Sequence, residues 1–438
     1  MALPVIFLVA AFLLTSMGTA RAVGDIAEKA YGPLKIFTRA LALVESQYVE
    51  EVDIKDLIYG AISGMMQTLD PHSGFMEPDY FKELTVDTSG EFGGLGIEIT
   101  SKDGYIAVIS PIDDTPAAAA GIKAGDLIVK IGDISTKGMD LMEAVKYLRG
   151  KPNTDITISI WRDGLDRAKE VTLTRAIIKV IAVKSKELEE GYGYVKLSRF
   201  NASVGRELKK TVKEMVGKNG GLKGLVLDLR NNPGGLMDQA VSVSDLFLDE
   251  GLIVYTQGRG AMQDIRFSAT KVGTFPDFPM VVLVNGGSAS ASEIVSGALQ
   301  DHKRAIIVGE QTFGKASVQT VLRLEDGSGM RLTTAKYYTP GGHDIQAKGI
   351  VPDFKVPGSI WDGMDEEQRK FYQRMEQKEK DLDNRLKNEE EEDLSLPGNL
   401  PFEEETDEKK TEKKDRDFQL DYAVSLLKSW DVFKAVGN

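Results

Sequence analysis

The stretch Met280-Val281-Val282-Leu283-Val284-Asn285-Gly286-Gly287-Ser288-Ala289-Ser290-Ala291-Ser292-Glu293 decides the fold. Five apolar residues in a row, three of them valine, read as a buried strand. Asn285, Gly286 and Gly287 break it, and Ser290-Ala291-Ser292-Glu293 has the Ser-x-x-Glu pattern that opens a helix, expected over 292–300. The same strand, loop, helix texture recurs on both sides. Strand-like runs at 193–197, 225–229 and 305–308 alternate with helical runs at 204–217 and 236–248. This alternation argues for a largely parallel central sheet.

Upstream, the texture changes. Residues 88–178 carry short β runs at 96–99, 106–109, 127–131 and 156–160, interrupted by small helices near 117–120 and 141–148. They make a compact β-rich module. Residues 25–86 look helical: Ile36, Leu41, Leu43, Val44 and Val49, then Leu57, Ile58, Ile62, Met65, Met66 and Leu69, recur at helical spacing. Asp53 is placed as an N-cap for the second helix, and Pro71 stops it. Residues 1–22 read as a secretory signal, an apolar run ending in Ala20-Arg21-Ala22, although the usual basic n-region is missing. An uncleaved membrane tether is the alternative. The chain is therefore expected to be exported, to a periplasm or cell envelope.

The chain has 438 residues, 42% apolar and 28% charged, enough for a core and consistent with two or three domains. Its net charge of −13 is uneven: residues 361–417 hold 21 acidic and 12 basic side chains, or −9. That segment reads as a solvated, charged linker, and residues 418–438 as an amphipathic helix that docks on the body or on a second subunit. Without a basic stripe, nucleic-acid binding is disfavoured. With no cysteine, thiol catalysis, disulfides and thiolate metal sites are excluded.

In an open α/β sheet, function gathers in loops beyond the carboxyl ends of strands. Three loops here stand out: Arg230-Asn231-Asn232-Pro233-Gly234-Gly235, the serine-rich loop at 285–293, and Gly309-Glu310-Gln311-Thr312-Phe313-Gly314-Lys315. If the strands are parallel, the loops converge. They then supply freed backbone N–H groups, hydroxyls and one amine, the inventory of acyl transfer. None of the three histidines (His72, His302, His343) lies in these loops, which disfavours a Ser/His/Asp triad. A lysine serves as base only if desolvated, since its free pKa is ~10.4. Each position also has a structural reading. Ser290 caps a helix, Gly234 and Gly235 form a turn, and Lys315 is a surface cation. Gly309-x-x-x-x-Gly314-Lys315 nearly matches a phosphate-binding loop, but Ala316 replaces the required hydroxyl and a β alternation, not a helix, follows.

Over residues 30–356 the chain resembles the C-terminal processing peptidases, or tail-specific proteases. The resemblance rests on Ser288–Ile294, on Phe313-Gly314-Lys315 with Gln319, on Asp228–Gly235 and on Leu332–Pro340. It implies a Ser/Lys dyad whose base follows the nucleophile by 25 residues, which selects Ser290 with Lys315. It also implies Gln319 as the residue that orients the lysine, and on an extended segment both would face one side. Backbone N–H groups at Gly234 or Gly235 and at Ala291 would hold the oxyanion. Asp301 matches an acidic position of some members, where a helix-end role is expected. The β-rich module then resembles a PDZ domain. Gly94-Leu95-Gly96-Ile97 matches its carboxylate-binding loop, and Asp114-Thr115-Pro116-Ala117 and Gly121–Asp126 match the same module.

The fold expected is multidomain α/β: a signal peptide (1–22), a helical N-terminal arm (25–86), an inserted PDZ domain (88–178), a protease core with a mixed sheet (179–356), a charged linker (361–417) and a C-terminal helix (418–438). The activity implied is that of a serine endopeptidase that selects protein substrates by free apolar C-termini, needs no metal or other cofactor, and assembles as a homo-oligomer, perhaps a dimer, with a possible activating partner. The alternative is a catalytically idle PDZ scaffold that binds C-termini in the envelope.

Overall fold

The structure is a computed structural model that describes residues 29–358, 378–388 and 417–436, except 103, 113, 163–166, 190, 219–220, 261–262 and 383. The expected leader at 1–22 and most of the linker lie outside the described residues. The chain divides into two compact units, residues 1–69 and 70–438.

In the first unit, residues 29–47 and Ile54–Gln67 are helical. Asp53 caps the second helix, its carboxylate accepting from Lys55 N at 2.7 Å. Large apolar side chains stay exposed, among them Tyr31, Ile36 and Val49.

The second unit begins with a departure from the helical reading of 25–86. Gly74–Met76 is a strand, paired antiparallel with Gly329–Tyr338 (Phe75 opposite Met330). Pro71 and Gly74 interrupt the helical pattern, which resumes at Pro78–Ser89 and ends at Gly90 in the left-handed region. Strands Glu91–Gly94 and Ala176–Lys179 then pair with each other, forming the stalk through which the PDZ module is inserted. The module itself is an antiparallel sheet in the order Ile97–Lys102, Tyr105–Pro111, Leu127–Ile131, Asp155–Trp161, Lys169–Thr174. Helices Pro116–Ala119 and Leu141–Leu148 flank it, and Ile106, Ile128, Ile158 and Ala144 fill its core.

The protease core is built on a six-stranded mixed sheet. Its order is Val183–Glu189, Tyr192–Leu197, Gly224–Asp228, Met280–Val284, Ile306–Gly309, Phe354–Lys355. Only the first pairing is antiparallel. Successive residues of a strand face opposite sides, and here both sides are covered. Leu225, Leu227, Met280, Val282 and Val284 meet helices Val204–Val216, Met237–Asp245 and Ala291–Asp301. Val226, Val281, Leu283 and Val308 meet the C-terminal helix Phe418–Val436 through Leu420, Ala423 and Leu427. That helix docks on the body of its own chain. Burial on two sides explains why these strands are unbroken apolar runs, each such side chain contributing about 1.5–3 kcal/mol. A second, antiparallel sheet carries Ser317–Arg323 and Gly329–Tyr338.

Candidate active site

The three loops converge at the carboxyl ends of parallel strands, cross-linked by backbone and amide bonds. Asn231 and Asn285 exchange hydrogen bonds: Asn231 N donates to Asn285 Oδ1, and Asn285 Nδ2 to Asn231 Oδ1, both at 2.9 Å. The Asn232 carbonyl accepts from Ala289 N at 3.0 Å and from Ser292 Oγ at 2.9 Å. Phe313 N donates to the Ser288 carbonyl at 3.0 Å, tying in the third loop.

Of the three serines, two have buried, committed hydroxyls. Ser288 Oγ donates to Leu229 O at 2.8 Å, and Ser292 Oγ to Asn232 O. Ser290 differs. It sits at the N-cap of Ala291–Asp301 with φ 54° and ψ −111°, a conformation costing a non-glycine residue on the order of 1–3 kcal/mol. Its side chain makes no cap hydrogen bond, because the Glu293 and Ile294 N–H groups take the Ser290 carbonyl instead. The capping box of Ser290 and Glu293 is present: Glu293 reaches back to Ser290 N and the Ser290 side chain faces Glu293 N–H, but that N–H is already taken by the Ser290 carbonyl, so the hydroxyl, unlike its two neighbours, is not spent on a buried carbonyl.

Glu293 is the hub. It is fully buried, and its two oxygens accept from four donors: Thr312 Oγ1 (2.5 Å) and Gly314 N (2.7 Å) on one, Ser290 N (2.8 Å) and Lys315 N (2.9 Å) on the other. One carboxylate thus fixes the backbones of Ser290 and Lys315 relative to each other. Burial pushes its pKa up to about 7, against the pull of those donors. Tyr337 adds a second clamp, its buried hydroxyl shared between the Ser290 carbonyl (3.0 Å) and the Lys315 carbonyl.

Desolvation, with Arg331 next, lowers the Lys315 amine to about 8, while Glu379, Glu293 and Asp70 pull it the other way. Gln319 stands on the strand that follows Lys315. Lys315 lies outside that strand, Ser317–Arg323, so the alternation that sets Ser317 and Gln319 on one side does not extend to it; the register shift at Val318/Gln319 places its extra residue, Thr334, in the partner strand. The Gln319 amide nitrogen donates to Ser317 Oγ at 2.8 Å and Thr333 Oγ1 at 3.3 Å. Thr333 in turn donates to Asp70 Oδ1 at 3.0 Å, and Ser73 Oγ to Asp70 Oδ2 at 2.7 Å.

The two glycines divide. Gly234 N–H is taken by Asn232 Oδ1 at 2.9 Å, whereas Gly235 N–H and Ala291 N–H have no partner among the described residues. Gly234 is required by space: with φ 98°, a Cβ there would lie 2.9 Å from Ser290 Cβ and 2.9 Å from Ala291 N. His302 and Asp301 stand at the far end of the Ser290 helix. His302 Nε2 lies 2.6 Å from Leu252 O, and Asp301 accepts from Gly341 N at 2.7 Å, a helix-end role.

A model of peptidase family S41 matches residues 191–356, a PDZ-domain model matches 93–173, and a model of the activating protease CtpB N-terminal domain matches 16–79. The carboxy-terminal-processing protease of Bartonella bacilliformis is 49% identical over 332 residues, 75% of this chain and 76% of that protein. The chain belongs to peptidase family S41. The carboxy-terminal processing protease CtpA of Bacillus subtilis is 38% identical over 321 residues, 73% of this chain and 68% of that one. Among solved structures, a photosystem II D1 C-terminal processing protease aligns at 33% identity and a TM-score of 0.43, over 73% of this chain and 92% of that one. This S41 peptidase is thus a C-terminal processing serine protease with a PDZ domain.

In that PDZ domain Leu95 and Gly96 turn between two strands, with their carbonyls taken by Ala117 N (3.0 Å) and Ile112 N (2.9 Å). Gly96 has φ 76°, and a Cβ there would fall 2.3 Å from that of Thr115. The loop therefore has one shape. Gly94 ends the stalk strand before it, and Ile97 begins the strand Ile97–Lys102 after it, beside helix Leu141–Leu148.

Proposed function

We propose that this S41 peptidase is an exported endopeptidase that captures the free apolar C-terminus of a protein in its PDZ domain and cleaves with a Ser290/Lys315 dyad. The observation that carries the reading is the contrast among the serines. Ser288 and Ser292 spend their hydroxyls on buried carbonyls, while Ser290 is held at positive φ with its hydroxyl donated to no carbonyl among the described residues. Lys315, neutral, takes the Ser290 Oγ proton as the oxygen attacks the scissile carbonyl. Gly235 N–H and Ala291 N–H receive the oxyanion, and Gly234 serves by its lack of a side chain. The lysine then protonates the leaving amine, and later activates the water that releases the acyl group. Gln319 acts at one remove: it ties Ser317, two residues beyond the lysine, to Thr333, and so fixes the start of the strand.

Leu95, Gly96 and Ile97 N–H groups would bind the terminal carboxylate, and Ile97 and Ile99 would meet its last side chain. Export rests on the apolar segment at 1–22. No helix among the described residues is long and apolar enough to cross a membrane. The exposed apolar side chains of helices 29–47 and Ile54–Gln67 support a homo-oligomer formed through this arm.

The test is turnover of an unstructured peptide with an apolar free C-terminus by Ser288→Ala, Ser290→Ala and Ser292→Ala. Only Ser290→Ala should abolish it. Full activity in Ser290→Ala removes the mechanism, and a wild type with peptide binding but no cleavage restores the scaffold reading.

A further inference from the structure

Within the segment read as a solvated linker, residues 378–382 and 384–388 lie against the wall that carries Lys315. We propose that Glu379 is a positioning residue for Lys315, supplied by the tail, so that this stretch of the linker is a working part of the active site. The proposal rests on the Ser290/Lys315 reading above.

Glu379 is fully buried, an uncommon state for a carboxylate from so charged a segment. Every polar group it brings is matched. Its Oε1 accepts from Gln346 Nε2 at 2.6 Å, and its Oε2 lies 2.6 Å from His72 Nε2. Its backbone N–H donates to Phe313 O at 3.3 Å. Gln346 passes the contact on, its Oε1 accepting from Ala316 N at 2.9 Å. Glu379 therefore holds residues 313 and 316, one on each side of the lysine. The segment is pinned at its other end too. Lys336 Nζ donates to Lys387 O at 2.6 Å, and Asn388 Nδ2 to Asp344 O (3.0 Å) and Gln346 O (2.8 Å). A buried carboxylate is stable only where such partners await it, so the docking is specific to this wall.

The charge bears on the chemistry. The groups whose charges act on the lysine are Arg331 from strand Gly329–Tyr338, Glu293 from the Ser290 helix, Asp70 from the loop 70–73, and Glu379 from the tail. Glu379 itself faces His72 and Lys315, with the Tyr337 hydroxyl nearby. Neutralising Glu379 removes a group that favours the ammonium, while shortening it removes the support of 313–316. The two effects separate experimentally.

Full-length protein carrying Glu379→Ala, Glu379→Gln, the exposed-neighbour control Lys380→Ala, or Ser290→Ala is assayed for kcat and KM. The pH dependence of serine labelling by a fluorophosphonate is measured on each. Glu379→Ala should lower kcat roughly ten- to hundred-fold with KM nearly unchanged. Glu379→Gln, which keeps an acceptor for Gln346, should recover much of that rate. Its labelling profile should also move to lower pH by about half a unit to one unit. Lys380→Ala should match wild type. If Glu379→Ala does not fold, the profile shift in Glu379→Gln decides alone. The proposal is overturned if Ser290→Ala is dead while both Glu379 variants keep the wild-type rate and profile. It is equally overturned if Glu379→Ala raises kcat, which makes the segment a brake. Activity in Ser290→Ala would instead strike down the dyad itself.

Discussion

Glu293 offers the sharpest test of how the site is held. Leucine at this position keeps the volume but offers no acceptor, so Ser290 N, Gly314 N, Lys315 N and Thr312 Oγ1 all lose their partner at once. At about 1–3 kcal/mol for each buried orphan, the cost is about 4–12 kcal/mol, comparable with a whole domain's stability of ~5–15 kcal/mol. Glu293→Leu should therefore fail to fold. Glu293→Gln is milder. Its one oxygen can still serve Ser290 and Lys315, and its nitrogen then faces Thr312 Oγ1, which can turn to accept from it, and Gly314 N–H, which is left unpaired. The loss of about 1–3 kcal/mol is offset by relief of a burial penalty. In the native protein the carboxyl holds its proton up to about pH 7, whereas the unfolded chain releases it near 4.5. Between those values the native state binds more protons, so this group's contribution to stability falls as pH rises, by about 3 kcal/mol in all. Glu293→Gln should abolish that slope, leave the unfolding midpoint near pH 7 almost unchanged, and still lower kcat roughly ten-fold, because Gly314 precedes the lysine. Thermal unfolding between pH 4.5 and 8 and peptide turnover read these effects. A folded Glu293→Leu with wild-type kcat would refute the reasoning.

Three further outcomes are expected. Activity of the wild type should rise with pH through about 8, as the Lys315 amine loses its proton, and Lys315→Arg should be nearly inactive because guanidinium keeps its proton; His302→Ala and His343→Ala should keep the wild-type profile. Arg230 holds the buried Asp228 and the tail's Asp417, each at 2.7 Å, so Arg230→Ala should strand Asp228 at a cost of about 3–5 kcal/mol and expose the C-terminal helix to limited proteolysis. Amidating the C-terminus of a good peptide, or replacing Gly96 with alanine against the 2.3 Å approach of Thr115, should each weaken PDZ binding measured by calorimetry.

What is legible in the sequence follows from how local its causes are. The strands at 224–228, 280–284 and 306–309 are short aliphatic runs, and a buried parallel strand has to look like that. The convergence of three loops then follows from topology alone, since parallel strands send their carboxyl ends to one edge. The choice among the serines is not local. Ser288, Ser290 and Ser292 are alike in sequence, and they part only because the Leu229 and Asn232 carbonyls, about sixty residues away, absorb two of them.

Gln319 and Glu379 mark where sequence reading stops, for different reasons. For Gln319 the limit is the strand itself: a two-residue period holds along Ser317–Arg323, where the amide meets Ser317 and, across the ladder, Thr333, but Lys315 lies outside that strand. Glu379 fails by anonymity. It is one of 21 acidic residues between 361 and 417, and nothing in its neighbours distinguishes it. Its distinction lies in His72, 307 positions earlier, and in Gln346. His72 in turn is unremarkable as a lone histidine until the strand Gly74–Met76, pairing with Gly329–Tyr338, fixes the loop before it beside the lysine wall. Charge-dense composition reports the average solvation of a segment, whereas a docking residue is an exception to that average. Only a partner of matching geometry on the folded surface can reveal it.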